Sequence, residues 1–561
     1  MTVFYEKRLV GKVLALTSLA TLLIVTPWST LDPINVPKFS VLVISAGILL
    51  GLLVKNYKVV GAVENRVTLL FSSIFLLFLL LAFLFSEISK VSQLFGVTGR
   101  NTGLLTYISL LLMFLAASTM TAKGFERVFV HTLVVGGALS VGYGLLQSLD
   151  LDPADWVNSY SPVIGFLGNP NFQSSFLGMV AVAVFAMILE KSLQLTYRAI
   201  GAVYILLSLL VISKSDSQQG FLVFIAGSSV VAGFFIFQSQ WRRLLIPYAV
   251  MSLLGIIAIA LGSLNKGPLA SLLYKDSVTY RGDYWRAGWK ITTENPLLGV
   301  GLDGYGEWYR RARTVEATLR RGPDVTSNAA HNVLLDLSSN GGFPLLGAYL
   351  LLISLVLVSV WKVLRRHQKF DPYFAALIGA WVAYNAQSII SLNQIGLAVW
   401  GWVLGGAIVG YARYGSNEPL KVATSHKRTR SASEIAKTKI SPAGSIAVFS
   451  GLIIGATAGL PPYLASTQYR SALESGDVTT IVEAGYISPL DVSRLGQVAA
   501  TLRDNNLVDQ ALPVIEDTVN TFPNAYDAWK ILASLSNASP EQVEKAKREM
   551  KRLDPHNPEL K

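Results

Sequence analysis

Long apolar runs, separated by short polar stretches, recur along the first 460 positions of the chain. Each extends over roughly 17 to 22 residues, enough for a helix to cross the hydrocarbon core of a bilayer. The pattern predicts an all-α, polytopic membrane bundle of about 13 transmembrane helices. The spans are 9–26, 39–54, 67–85, 103–120, 128–149, 172–190, 197–212, 219–237, 244–264, 343–361, 372–390, 394–412 and 441–460. The first run ends in Thr26-Pro27-Trp28-Ser29, which lacks a small-residue cleavage site, so it reads as a retained helix. The pattern changes in two places. Residues 265–342 form a long polar connection between the ninth and tenth spans. From 461 onward the sequence becomes ordinary amphipathic helix. The chain therefore divides into 1–264 (spans one to nine), 265–342 (large loop), 343–412 (spans ten to twelve), 413–440 (basic linker), 441–460 (last span) and 461–561 (a small soluble α-solenoid).

In that last segment Pro489, Pro523 and Pro555 recur at close to 34 residues, and Leu495 and Trp529 each follow a proline by six positions. This spacing predicts tetratricopeptide-like helix pairs, a fold that offers a surface to a protein partner.

Composition agrees with a membrane protein: 52% of the 561 residues are apolar and only 15% charged. The absence of cysteine excludes disulfides, thiol catalysis and Cys-ligated metals. A net charge of +12 would suit a nucleic-acid binder, but the positions of the charges argue for topology instead. With the N-terminus inside, Lys7, Arg8, Lys12, Lys55, Lys58, Arg66, Lys123, Arg127, Lys191, Arg198, Arg242, Arg243 and the group Lys362 to Lys369 fall on cytoplasmic segments, as does His426-Lys427-Arg428-Thr429-Arg430. Short outer loops hold only Lys38, Lys90, Arg100 and Lys214. No nucleic-acid partner is expected; membrane lipids are. The large loop and the C-terminal segment fall outside. The loop carries ten basic and eight acidic residues, with a cluster at Arg310, Arg311, Arg313, Arg320 and Arg321. Long loops escape the positive-inside rule, so this cluster suits a solvated surface, although connections this long are usually functional.

Of the five histidines (131, 331, 367, 426 and 556), only His331 falls at the outer membrane face. Asn328 is a good N-cap for a helix running from Ala329, which would place His331 in a first turn. The positive end of that helix would keep the imidazole neutral, as a general base requires. Upstream, Arg281, Trp285 and Trp289 share one helical face, and the aromatics suit the headgroup level. A guanidinium there would meet phosphate oxygens; the plainer alternative is an interfacial helix snorkelling its cations to lipid. Asn295-Pro296-Leu297-Leu298-Gly299-Val300-Gly301 stops the helix and permits a tight turn, but it lacks nucleotide-loop spacing. Asp150-Leu151-Asp152 reads as helix-end acids rather than a metal motif.

Arg281 and Trp285, Asn295 to Gly301, and His331-Asn332 followed by Gly341-Gly342 together resemble the outward loop of the O-antigen ligase and polymerase superfamily. Leu94-Phe95-Gly96 with Arg100 and Gly103, Gly168-Asn169-Pro170-Asn171, and Gln387-Ser388 through Asn393 are similar to further family segments. The resemblance implies a GT-C-like fold in the bacterial plasma membrane, with a glycan donated from a lipid pyrophosphate to an acceptor hydroxyl. Inversion, no metal and no cofactor are implied as well. It makes His331 the base and Arg281 the pyrophosphate ligand, with Arg286, Asn332, Arg100, Lys214 and Gln218 around the substrate. The acceptor is a glycan, a lipid or a protein, the last as in a protein O-oligosaccharyltransferase. One departure is that Ser213-Lys214-Ser215-Asp216-Ser217-Gln218 stands where ligases carry a Ser-Arg pair, so Lys214 or Gln218 would take that role. A transporter or a scaffold would be the alternatives of another class. A transporter is disfavoured by the lack of two related halves and by the scarcity of charges within the spans.

Overall fold

The computed structural model describes residues 2–121, 124–156, 161–366, 369–414 and 442–560. Lys123, His367 and the basic linker with His426 lie outside the described residues. Every described element is helical. Among the described residues eleven helices are long and apolar enough to cross a membrane. The other two predicted spans fall on helices Thr2–Leu23 and Leu104–Ser118, the latter only 15 residues long. Their starts are set by local chemistry. Asn169 caps Pro170–Ile188 by accepting from the Asn171 N–H, and Asp371 caps Pro372–Ile390, each with proline in the first turn.

Helix Ile395–Tyr414 runs through the middle of the bundle and is almost wholly buried. Gly406 lets it approach closely, since a Cβ there would stand 2.4 Å from the Phe114 carbonyl oxygen. Helices Asn35–Lys55 and Pro442–Gly459 meet in the same way, with a Cβ at Gly451 only 2.2 Å from the Gly47 carbonyl. Helix Leu245–Ser263, by contrast, sits at the edge of the bundle, exposed almost throughout.

The predicted loop is largely helical. It contains Asp276–Glu294, Tyr305–Ala312 and Val315–Arg321. Its last part, from Val333, is not loop at all; it is the first section of helix Val333–Arg366, kinked at Gly342 (φ 71°) just before Pro344. The apolar count missed this section because Asp336, Ser338, Ser339 and Asn340 interrupt it, and all four are buried.

Among the described residues six α-helices follow the last apolar span and pack around Tyr469, Leu495, Val498, Ile515, Trp529 and Leu553. Pro489 and Pro523 immediately precede helices Val492–Asp504 and Tyr526–Ser534, and the Trp529 indole donates back to the Pro523 carbonyl at 2.9 Å.

The arginine cluster was expected to be a solvated surface, and the structure divides it. Arg310 and Arg313 are buried against the C-terminal helices and share Asp554, at 3.4 and 2.5 Å. Arg310 also pairs with Asp527 at 3.2 Å and lies over the Tyr526 ring, while Arg311 donates to Asn524 at 2.6 Å. The same helices reach the rest of the bundle through Arg470, which donates to the Pro27 and Thr30 carbonyls, and Asp491, which accepts from Thr98. Arg320 and Arg321 turn the other way, onto helix Asp276–Glu294, where they bond Asp283 and the Tyr284 hydroxyl.

Candidate active site

His331 precedes the helix instead of occupying its first turn. Asn332, not Asn328, is the cap, its Oδ1 accepting from the Leu334 and Leu335 N–H groups at 3.0 and 3.1 Å. The two asparagines are four residues apart, and tertiary contacts decide between them. The Ala330 N–H donates to Asp336 Oδ1 at 2.8 Å, and Arg100 donates to the Asn328 carbonyl. The result is a left-handed backbone at His331, φ 52°. Such conformations cost about 1–3 kcal/mol in a non-glycine residue and persist only where neighbours impose them.

Those neighbours can be named. The Tyr284 ring stacks on the imidazole, with centroids 5.2 Å apart. The Trp285 indole lies 3.5 Å from the His331 carbonyl oxygen. Tyr284 is held in turn by Arg321, which bonds its hydroxyl and lies over the Tyr280 ring, and by the Tyr305 hydroxyl, which donates to the Tyr284 carbonyl at 2.8 Å. The Asn295–Gly301 turn supports the site from below. The Val300 and Gly301 N–H groups donate to the Ser339 and Asn340 carbonyls, and Phe343 N–H to that of Pro296, so the turn clips onto the kink. Gly299 has φ 62°, and a Cβ there would meet the backbone of residues 340 and 341 at 2.4 Å.

The imidazole is neutral at pH 7, though the cause is not the expected helix terminus. Burial holds its pKa down at about 3, and the positive charges of Arg281, Arg100 and Arg321 act in the same direction. Arg281 is half-buried on helix Asp276–Glu294 and carries the face shared with Trp285 and Trp289. Among the described residues neither Arg281 nor Arg321 has a carboxylate within 4.0 Å, whereas Arg320 is paired with Asp283 at 2.5 Å. Arg286 also meets Asp283, at 3.4 Å, with its side chain mostly in solvent.

Arg100 departs from the expected substrate contact. It is buried between Asp303 at 3.4 Å and Asp336 at 3.9 Å, and its remaining reach goes to the Asn328 carbonyl. Asp303 is further fixed by the Val97 N–H at 2.8 Å and Thr102 at 2.9 Å. Arg100 thus positions the His331 turn, held by two carboxylates and the Asn328 carbonyl. Removing it would strand two buried carboxylates, at about 3–5 kcal/mol. Arg100→Met should therefore lower the thermal midpoint sharply, and Arg100→Lys should restore little of it. An unchanged midpoint in the methionine variant would remove this role.

Lys214 and Gln218 flank the turn between two spans. The turn is tied to the start of the loop helix, since Lys275 donates to the Asp216 carbonyl at 2.9 Å. Lys214 is exposed there. Asp152 accepts from Tyr143, Gln147 and the Ala154 N–H, which makes it a helix-end acid. His131 shares a hydrogen bond with Tyr373. Among the described residues no group of three or more His, Asp or Glu could hold a metal ion. Sequence reasoning missed Asp303, Asp336 and Tyr284, and it read Arg321 only as part of the basic cluster. Asp336 alone left a signal, as a single acid in the first turn of an apolar helix.

Arg281, the turn, His331 and the kinked helix all lie in one stretch of chain. Residues 201–350 match the O-antigen ligase family model. That domain, in a multi-helix membrane protein, supports a membrane transferase of the O-antigen ligase or polymerase kind. No curated protein matches the chain.

Proposed function

We propose that the protein transfers a glycan from a lipid-pyrophosphate carrier to an acceptor hydroxyl, with inversion, at the outer face of the plasma membrane. The observation that carries this reading is a pair of arginines, Arg281 and Arg321, without carboxylate partners among the described residues, beside a neutral imidazole. Unbalanced guanidinium charge at a partly buried site calls for an anion, and a pyrophosphate leaving group supplies one where a base is also needed. The acceptor oxygen attacks the anomeric carbon as the bond from that carbon to the pyrophosphate breaks. The leaving phosphate takes the bonding pair towards the arginines, and the acceptor proton passes to His331. Asn332 sets the turn, while Arg286, Lys214 and Gln218 rim the approach. The C-terminal helices fit a tetratricopeptide-like extension on the same side of the membrane. Purified protein should move glycan from a lipid-pyrophosphate donor to an added acceptor. Carrier-dependent flipping in vesicles without transfer would instead identify a transporter.

A base with a pKa of about 3 is weak until the donor arrives. The donor's negative charge would offset Arg281 and Arg321, stabilise the imidazolium and raise the pKa. The sign follows: in the free protein His331 stays unprotonated as pH falls through 6.5 towards 3. In the donor complex it takes up a proton at higher pH. The profile of kcat/KM should therefore be flat through pH 6.5, with an acid limb in kcat displaced upward. An acid limb near 6.5 in kcat/KM that disappears in His331→Asn would show an unshifted imidazole and refute the scheme.

A further inference from the structure

Helix Tyr305–Ala312 carries Arg310 near its end, and Arg313 follows it directly. Their guanidinium groups converge. Both donate to the Pro323 carbonyl, at 2.7 and 2.9 Å, and Arg313 also donates to the Val325 carbonyl at 3.2 Å. Two buried cations this close repel each other strongly unless an anion stands between them. Asp554 is that anion, at 0% exposure, with one carboxylate oxygen meeting both arginines. It stands at the end of the last α-helix, Pro540–Leu553. We propose that Asp554 is a positioning residue for His331, so that the C-terminal helices complete the active site rather than merely dock beside it.

The chain from Pro323 to His331 is short, and its anchors follow in order. Arg310 and Arg313 hold the Pro323 and Val325 carbonyls, and Asp324 between them pairs with Lys530 of the C-terminal helices at 2.7 Å. Further on, Arg100 takes the Asn328 carbonyl and Asp336 takes the Ala330 N–H. Neither of those two belongs to the C-terminal helices. The first anchor alone depends on Asp554, and it fixes where the segment enters the turn.

The same helix also reaches the ring. Tyr309 stacks on Tyr305 at 5.9 Å and meets Tyr284 edge-on at 5.7 Å, and Tyr284 carries the imidazole. Loss of Asp554 would therefore loosen the backbone of the histidine and its ring support together. A left-handed residue such as His331 keeps that conformation only while its neighbours impose it. Calling the turn an active site rests on the glycan-transfer reading; the brace does not.

The test uses the full chain in lipid nanodiscs, below the thermal midpoint of each variant. Asp554→Asn keeps the shape and removes the charge. With donor already bound it should transfer roughly 10²-fold more slowly, the scale associated with a misplaced catalytic group, while donor affinity is unchanged. Hydrogen–deuterium exchange should rise over residues 326–332, with the Ala330 amide as reporter. Arg313→Met/Asp554→Leu removes the ion pair as a unit, which an interior tolerates better than a stranded charge. It should keep a midpoint nearer that of wild type and show the same two changes. Ile515→Ala weakens the core of the same helices from within, so it should lower the midpoint and alter neither rate nor exchange. Wild-type transfer in both ion-pair variants overturns the proposal. So does slow transfer without faster exchange, or equal losses in Ile515→Ala. If wild type moves no glycan, faster exchange in Asp554→Asn still supports the brace, and the catalytic reading alone falls.

Discussion

A His331→Ala variant is expected to retain the donor lipid yet transfer its glycan roughly 10²–10⁴-fold more slowly, the range associated with loss of a positioned base. Alanine alone is an ambiguous probe. It removes the Tyr284 stack and also places a poorly suited residue at φ 52°. His331→Asn separates these effects, because asparagine accepts a left-handed backbone but cannot take the proton. Both variants should fall to a similar residual rate, measured in a single turnover with donor already bound. If His331→Asn were to transfer at near the wild-type rate, the imidazole would be a structural support and the proton acceptor would lie elsewhere.

Arg281→Ala is expected to cost about 10²–10³-fold, as removal of one preorganised group facing developing charge commonly does. The loss should appear mainly in the rate of the chemical step, because the pyrophosphate gains charge as it leaves. Arg281→Lys keeps the charge but not the two-pronged geometry, so it should recover part of the rate. Arg321 gives a useful contrast: it also holds the Tyr284 hydroxyl, so Arg321→Ala should disturb the stacked imidazole as well. The comparison to make is with a carrier bearing a single phosphate. If Arg281→Ala lost equal ground on mono- and pyrophosphate carriers, Arg281 would not be reading the second phosphate.

The spans were legible because an apolar helix of that length has few other places to be, and the central helix, buried on all sides, reads the same way. His331 was singled out by elimination among five histidines. Its capping was not legible: Asn328 and Asn332 are equally good caps by residue type, and the choice rests on Asp336 and Arg100, the latter 228 positions before Asn328. Arg100 itself was read as a substrate contact, and its nearer carboxylate, Asp303, stands about 200 residues away among glycines. The same holds for Arg310 and Arg313. A run of arginines looks solvated until an aspartate far along the chain is brought against it. Pairings of this kind leave no periodicity for local reasoning to find.

The bridge between Arg313 and Asp554 spans 241 positions of sequence. Among the described residues four helices of membrane-crossing length lie between them: Val333–Arg366, Pro372–Ile390, Ile395–Arg413 and Pro442–Gly459. An even number of crossings returns a chain to the face it left; an odd number strands it opposite. A contact at 2.5 Å is therefore a parity check on the membrane topology. Any assignment that laid one of these four helices flat in the membrane plane would put a bilayer between the two charges.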